Sequence, residues 1–386
     1  MGDDDDPDVV RIGMVIPLTG GHGVTGRSMC RGALLAIEEV NAGGGIGGRR
    51  LQPVVVDSTT NVTQAVHALR GVLRSGVDLV LGAYTSAGRV AMLPAIREAG
   101  ALLLYPTYYE GLEQEPCVCY AGAVPNQFLG GYIDWILGNL GRRFYMVGSD
   151  YVYPRTAGQI IQRVVGGRGG EVAVDRYVPL GQTDFAATLE EIDRLKPDVV
   201  LCNLVGNDSV PAFYRQFYDG GFRASTLPIA ATVTTEAELQ LMDPAVAAGH
   251  FMAASYFASL SNPANVDHRA AFAARFGRGA VTHVVSTAAY NAIWLLALAA
   301  RTAGGSSAST VSRALPGTTF DGSPEGVPIT VRANRHTTHA AHVGIAGVDG
   351  GYDVVASCGL QEPDPYPALL VPAQRRPSAT SATSGA

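Results

Sequence analysis

The stretch VVRIGMVIPLTGGHGVTGRSMCRGALLAIEEVNAGGGIGGRRLQPVVVDS, residues 9–58, decides the fold. It opens on a continuous apolar run (9–18), passes through a glycine-rich loop into an amphipathic segment (26–45), and returns to a second apolar run (51–58). Short apolar strands separated by helices of a dozen or more residues spell βαβ units on a buried parallel sheet. The alternation continues through TQAVHALRGVLRSG (63–76), VDLVLGAY (77–84), RVAMLPAIREAG (89–100) and ALLLYPT (101–107). After residue 125 it restarts: FLGGYIDWILGNL, RFYMVGSD, RTAGQIIQRVVGGRG, EVAVDRYVPL, DFAATLEEIDRLK and DVVLCNLV follow in turn. The restart predicts an α/β protein of two doubly wound, Rossmann-like parallel-sheet lobes, with ligands held in the cleft at the carboxyl ends of the strands.

A length of 386 residues suits two lobes, each with its own core. Residues 250–257 read as a strand, 263–276 and 286–303 as helices, and 316–331 as an extended crossing segment, so the chain passes between lobes more than once. The terminal AQRRPSATSATSGA, residues 373–386, lacks any apolar period and reads as a disordered tail.

Composition narrows the function. With 47% hydrophobic and 16% charged residues the chain is an ordinary packed globular protein. A net charge of −6 without a basic cluster argues against a direct nucleic-acid ligand. The run AAYNAIWLLALAA (288–300) is short for a bilayer span and reads as a core helix. The opening MGDDDDPDVV is unlike a secretory signal, and five cysteines (Cys30, Cys117, Cys119, Cys202, Cys358) at unrelated spacings suit a reducing compartment. Both point to a cytoplasmic location, subject to Met1 being the true start.

Several motifs invite chemistry. GHGVTG (21–26) matches the dinucleotide pattern G-x-G-x-x-G, with Asp57 closing the next strand. Four residues separate the strand from the first glycine, and the acid lies 36 positions beyond Gly21. Both spacings are wrong for NAD, so a flexible loop at the cleft edge is preferred and an NAD-dependent oxidoreductase stays a remote alternative. No cofactor or metal site is expected. His336, His339 and His342 read as a surface run, and Cys117 and Cys119 as buried thiols.

Polar residues at strand ends remain. Tyr84, Thr85 and Ser86 end one strand, with Ser86 placed to cap the next helix; Tyr105 and Thr107 flank Pro106 at the end of the following strand. Two successive strand ends of this kind point to a binding site for an oxygen-bearing ligand.

Residues 11–57 resemble the opening of type I periplasmic binding proteins of the branched-chain amino acid group. LLLYPTYYEGLE (102–113), YMVGSDYVYPRTAG (145–158), YVPLGQTDF (177–185) and ATVTTEAEL (231–239) are similar to one of its subgroups. That subgroup contains urea and short-chain amide transporter binding proteins and the cytoplasmic amide sensor of the aliphatic amidase operon. The resemblance runs from about residue 10 to 356 and implies the type I periplasmic-binding-protein fold: two hinged lobes that close on a ligand without catalysis. It implies discontinuous lobes, 10–122 with 252–325 and 123–251 with 326–360. It carries the amide-contacting positions onto Tyr84, Ser86, Tyr105, Thr107, Tyr151 or Tyr153, and Thr234, with Thr235 the neighbour in question.

A small neutral amide wants donors for its carbonyl and acceptors for its NH₂, which hydroxyls and backbone groups supply, and aromatic rings close over its faces. The acids nearby in sequence, Glu110, Glu113, Asp150, Asp184 and Glu236, read as solvated loop and cap residues. The expectation is therefore a sensor and negative regulator of amide metabolism, acting on an antiterminator-like protein partner. The alternative is the substrate-binding component of an ABC transporter for urea, short-chain amides or branched-chain amino acids, with a permease as partner. A homo-oligomer is open in either case.

Overall fold

The computed structural model describes residues 8–366, so the tail expected at 373–386 lies outside the described residues. The first lobe opens with β1 (Val9–Ile16), α1 (Gly23–Ala42), β2 (Arg50–Asp57), α2 (Val62–Arg74) and β3 (Leu79–Gly82). It continues with α3 (Ser86–Glu98), β4 (Leu102–Tyr105) and β5 (Val118–Tyr120). Its sheet is parallel, in the order β2-β1-β3-β4-β5. β3 and β4 are short, wholly buried Leu- and Val-rich runs, as a sheet covered on both faces requires.

The second lobe follows the same grammar. It contains α4 (Pro125–Asn139), β6 (Arg143–Ser149), α5 (Val152–Gly167), β7 (Glu171–Val178), α6 (Ala186–Leu195), β8 (Val199–Asn203) and α7 (Ser209–Asp219). β9 (Ile229–Ala231), the one-turn helices α8 (Glu236–Leu239) and α9 (Pro244–Ala247), and β10 (Phe251–Ala254) complete this passage. The chain then returns to the first lobe as α10 (Pro263–Phe276), α11 (Val284–Ala303), α12 (Ala308–Ala314) and a small antiparallel pair, β11 (Thr319–Phe320) with β12 (Ile329–Thr330). It crosses a last time to add β13 (His339–Ala346) and β14 (Tyr352–Gln361). The second sheet runs β14-β13-β10-β9-β8-β6-β7, parallel from β10 to β7 and antiparallel at β13 and β14.

Two details differ from the sequence reading. β10 pairs with β9 and β13, so the chain leaves the second sheet after Ala254 and not at 252. The segment expected to be extended over 316–331 folds back on itself through β11 and β12.

Two of the crossings run side by side. The Tyr120 amide donates to the Arg335 carbonyl at 2.9 Å, and the Thr337 amide to the Tyr120 carbonyl at 3.1 Å. Around this joint His336 stacks on Tyr120 with ring centroids 4.2 Å apart. The first lobe is sealed from behind by α11, a 20-residue helix buried along most of its length against α1. Gly32 permits that approach, because a Cβ there would lie 2.0 Å from the Ser286 carbonyl oxygen. Length and composition alone would let α11 cross a membrane; its burial marks it as the core helix.

Candidate functional site

The strand ends of the two lobes enclose a small cavity of about 30 Å³, room for only a water or two with the lobes as they stand. The first lobe contributes Tyr84, Thr85 and Ser86 after β3, Thr107 and Tyr108 after β4, and Val285 from the first turn of α11. The second contributes Tyr151 and Tyr153 after β6, Val205 after β8, and Val233 and Thr235 after β9. None of these side chains is charged.

The positions named from sequence divide on inspection. Tyr84, Ser86, Thr107, Tyr151 and Tyr153 come together on this wall. Tyr105 does not reach it: its ring is fully buried behind, edge-on to Tyr109 and 4.8 Å from the Arg89 guanidinium, and its hydroxyl donates to the Tyr84 carbonyl at 3.3 Å. The reason is that β4 ends at Tyr105, which shares the outer-core face with Leu103, and Pro106 breaks the alternation so that Thr107 turns to the cavity. Thr234 is likewise buried off the wall, its carbonyl accepting from the Tyr352 hydroxyl at 2.8 Å, and its neighbours Val233 and Thr235 face the ligand space.

Ser86 is not the helix cap. Thr85 caps α3, accepting from the Gly88 amide at 3.1 Å, and this frees the Ser86 hydroxyl for the Glu110 carboxylate, to which it donates at 2.6 Å. Glu110 is therefore not a solvated loop acid. It is buried and paired with Arg89 at 3.1 Å, and Arg89 also holds Glu113 at 2.9 Å. Glu236 is buried too, its carboxylate accepting from the Ala258 amide at 3.0 Å, and desolvation pushes its carboxyl up to about 7. Asp150 and Asp184 are the exposed acids that sequence suggested: Asp150 pairs with Arg155 and Asp184 accepts from the Ala186 amide.

Burial raises the phenols of Tyr84, Tyr108, Tyr151 and Tyr153, so all four stay protonated and able to donate. The hydroxyls of Tyr108 and Tyr153 form no well-aligned hydrogen bond within the protein. The Ser255 backbone acts electrostatically on the Tyr108 phenol and the Thr232 side chain on that of Tyr153, each opposing part of the rise from burial. The Thr235 hydroxyl is spoken for, donating to Glu238 at 2.6 Å and capping α8.

The lobes touch directly around the cavity. Thr25 of α1 donates to Glu238 of α8 at 2.8 Å, and the Asn207 amide donates to the Gly21 carbonyl at 2.8 Å. Glu238 is raised by burial at this contact. The glycine loop thus serves lobe contact and tight packing. Gly26 lies against Pro17, whose carbonyl oxygen would be 1.8 Å from a Cβ, and the Asp57 carboxylate is occupied by the Leu18 and Thr59 amides and the Thr19 hydroxyl.

Among the described residues no group of three or more His, Cys, Asp or Glu side chains is placed to hold a metal ion. The histidines expected on the surface are buried: His336 contacts the Tyr109 hydroxyl, His339 pairs with Glu325 at 3.0 Å, and His342 meets the Ser357 hydroxyl at 2.7 Å. Cys119 is buried as expected, Cys117 partly so, and all five thiols are free. Tyr108, Val205, Val233 and Val285 were missed in the sequence. Tyr108 had a signal, lying next to Thr107, whereas the valines are indistinguishable from core residues.

Leu/Ile/Val-binding protein homolog 3 of Brucella melitensis is 25% identical over 227 residues, 56% of this chain and 60% of that one. The Leu/Ile/Val-binding protein BraC3 of Rhizobium johnstonii is 26% identical over 198 residues, 50% and 53% of the two chains. The chain thus matches between half and two thirds of these relatives' length. A solute-binding protein of an ABC transporter from Rhodopseudomonas palustris, solved with 3,4-dihydroxybenzoic acid, superposes with a TM-score of 0.82 at 21% identity, covering 92% of this chain and 98% of that one. The branched-chain amino acid transporter substrate-binding protein LivJ of Streptococcus pneumoniae, solved with isoleucine, gives 0.80 at 19% identity over 92% and 100%. These two likenesses are of fold.

A family model described as a periplasmic binding protein domain matches residues 10–371. It overturns the cytoplasmic location, an expectation that rested on the opening residues and the thiol count, and favours the transporter component over the sensor. The chain belongs to the periplasmic binding protein domain family.

Proposed function

We propose that the chain is the substrate-binding component of an ABC uptake system, closing without catalysis on a short neutral amide or urea and delivering it to a permease. The observation that carries the ligand class is the wall itself: tyrosine and serine or threonine hydroxyls with no charged side chain, two of them, Tyr108 and Tyr153, lacking a well-formed partner. Buried hydroxyls are normally satisfied, so these are where a carbonyl oxygen is received. Contacts from both lobes then favour the closed state that Thr25–Glu238 and Asn207–Gly21 already latch, a shift of the hinge equilibrium.

A second reading takes branched-chain amino acids. It is favoured by the names of the relatives and by Glu236, next to Thr235, whose carboxylate would answer an ammonium group. A thermal-shift screen with acetamide, propionamide, urea, leucine and isoleucine separates the two. A ligand at a hundred times its Kd stabilises by about 2.7 kcal/mol. A rise with an amide or urea alone supports the first reading; a rise with leucine or isoleucine alone transfers it to the second.

A further inference from the structure

We propose that Glu110, anchored by Arg89, fixes the direction of the Ser86 hydroxyl, so that the first-lobe wall offers the ligand an acceptor and Ser86 becomes the position that takes an N–H and turns carboxylates away. This rests on the amide or urea reading and deepens it.

A serine hydroxyl has one proton and two lone pairs, and what it shows a ligand depends on where the proton goes. Here it goes to Glu110 Oε2 at 2.6 Å. A carboxylate only accepts, so the direction cannot reverse while Glu110 is ionised. Glu110 is itself held in place: its other oxygen accepts from Arg89 at 3.1 Å. Arg89 is fixed in turn by Glu113 at 2.9 Å and by the rings of Tyr105 and Tyr109, 4.8 and 4.4 Å from its guanidinium carbon. The whole group is buried or nearly so. Two carboxylates against one guanidinium leave a net negative charge behind the wall.

The lone pairs of Ser86 are then what faces the cavity. An amide or urea NH₂ donates to them while its carbonyl meets the donors Tyr108 and Tyr153. The carboxylate of the same size and shape has no proton to give, and its charge faces the acceptor and the excess negative charge behind it. The cavity thus separates two isosteres by hydrogen-bond polarity, the kind of discrimination that polar sites make far better than apolar ones.

Calorimetric titration with the pairs acetamide/acetate and propionamide/propionate at pH 7.5 tests this in the wild type, Glu110→Gln and Ser86→Ala. The wild type is expected to prefer the amide by at least about a hundredfold. In Glu110→Gln the neutral side chain can donate to Ser86 and turn its proton toward the cavity, so the amide-to-acid ratio should fall by about tenfold or more, a change that altered stability alone would not produce. Ser86→Ala, the smaller change, should lose about three- to tenfold in amide affinity and lower the ratio as well. Amide binding in the wild type with an unchanged ratio in a folded Glu110→Gln, or in Ser86→Ala if the first variant does not fold, overturns the inference and leaves the proposed function standing. A wild type that binds the acids as tightly as the amides, or binds neither, overturns both.

Discussion

The two walls of the cavity are built on different principles. The wall from the first lobe stands on charge: Ser86, Glu110, Arg89 and Glu113 form a chain of hydrogen bonds packed between Tyr105, Tyr109 and Tyr120. The wall from the second lobe presents Tyr151, Tyr153, Val205, Val233 and Thr235, rings and methyl groups with one hydroxyl already used as a cap. A buried ion pair is weak evidence of stability, since its desolvation offsets most of its attraction. What such a network gives instead is orientation. On the proposed reading, the first lobe reads the ligand and the second covers it.

The largest effect should come from breaking the charged wall. Arg89→Leu leaves the buried Glu110 and the partly buried Glu113 without their cation, a change worth about 3–5 kcal/mol of stability. Denaturant unfolding should show it as a lowered midpoint. A midpoint equal to the wild type would mean that the first wall is no more braced than the second, and the comparison would fall.

A carboxyl also lies under the second wall, but it is unpaired. Glu236 has no cation; burial raises its carboxyl from 4.5 to about 7. Below pH 4.5 it is protonated in both folded and unfolded chains and costs nothing. Above pH 7 it is ionised in both, and the folded chain bears the full cost, so stability should decline as pH rises from 4.5 to 7. The total is on the order of 3 kcal/mol. Buried His22, His268 and His283 pull the other way in much of this range, because burial lowers them and stability is lost as pH falls from 6.5 toward 4. The difference between wild type and Glu236→Gln isolates the glutamate: the gap between their melting temperatures should widen with pH up to about 7. A constant gap would place Glu236 with the paired acids of the first wall.

The sequence made the alternation of strands and helices, the restart after residue 125 and the repeated crossing legible, because each is written in local apolar periodicity. Periodicity is silent on buried polar residues. Glu110 is buried by Arg89, 21 positions away, and His339 by Glu325, 14 away, so neither shows in its own segment. Tyr105 and Thr107 were read as a pair, although two residues around a proline at a strand end need not share a direction. Strand ends located the cavity, and Thr85 and Ser86 differ from the reading by one position, the usual uncertainty of a helix boundary.

The smallest and most selective change is Tyr153→Phe. It lies in the first turn of α5 with its ring nearly fully buried, and phenylalanine keeps that packing. Its hydroxyl makes no well-formed hydrogen bond in the protein, so removing it should alter stability by less than about 0.5 kcal/mol. If that hydroxyl is reserved for the ligand carbonyl, affinity should fall three- to tenfold, about 0.5–1.5 kcal/mol, with the amide-to-acid ratio preserved because polarity is read across the cleft at Ser86. The same measurements on Ser86→Ala should lower both affinity and ratio. A ratio that moved in Tyr153→Phe and stayed in Ser86→Ala would exchange the roles of the two walls: the second lobe would then be the one that reads.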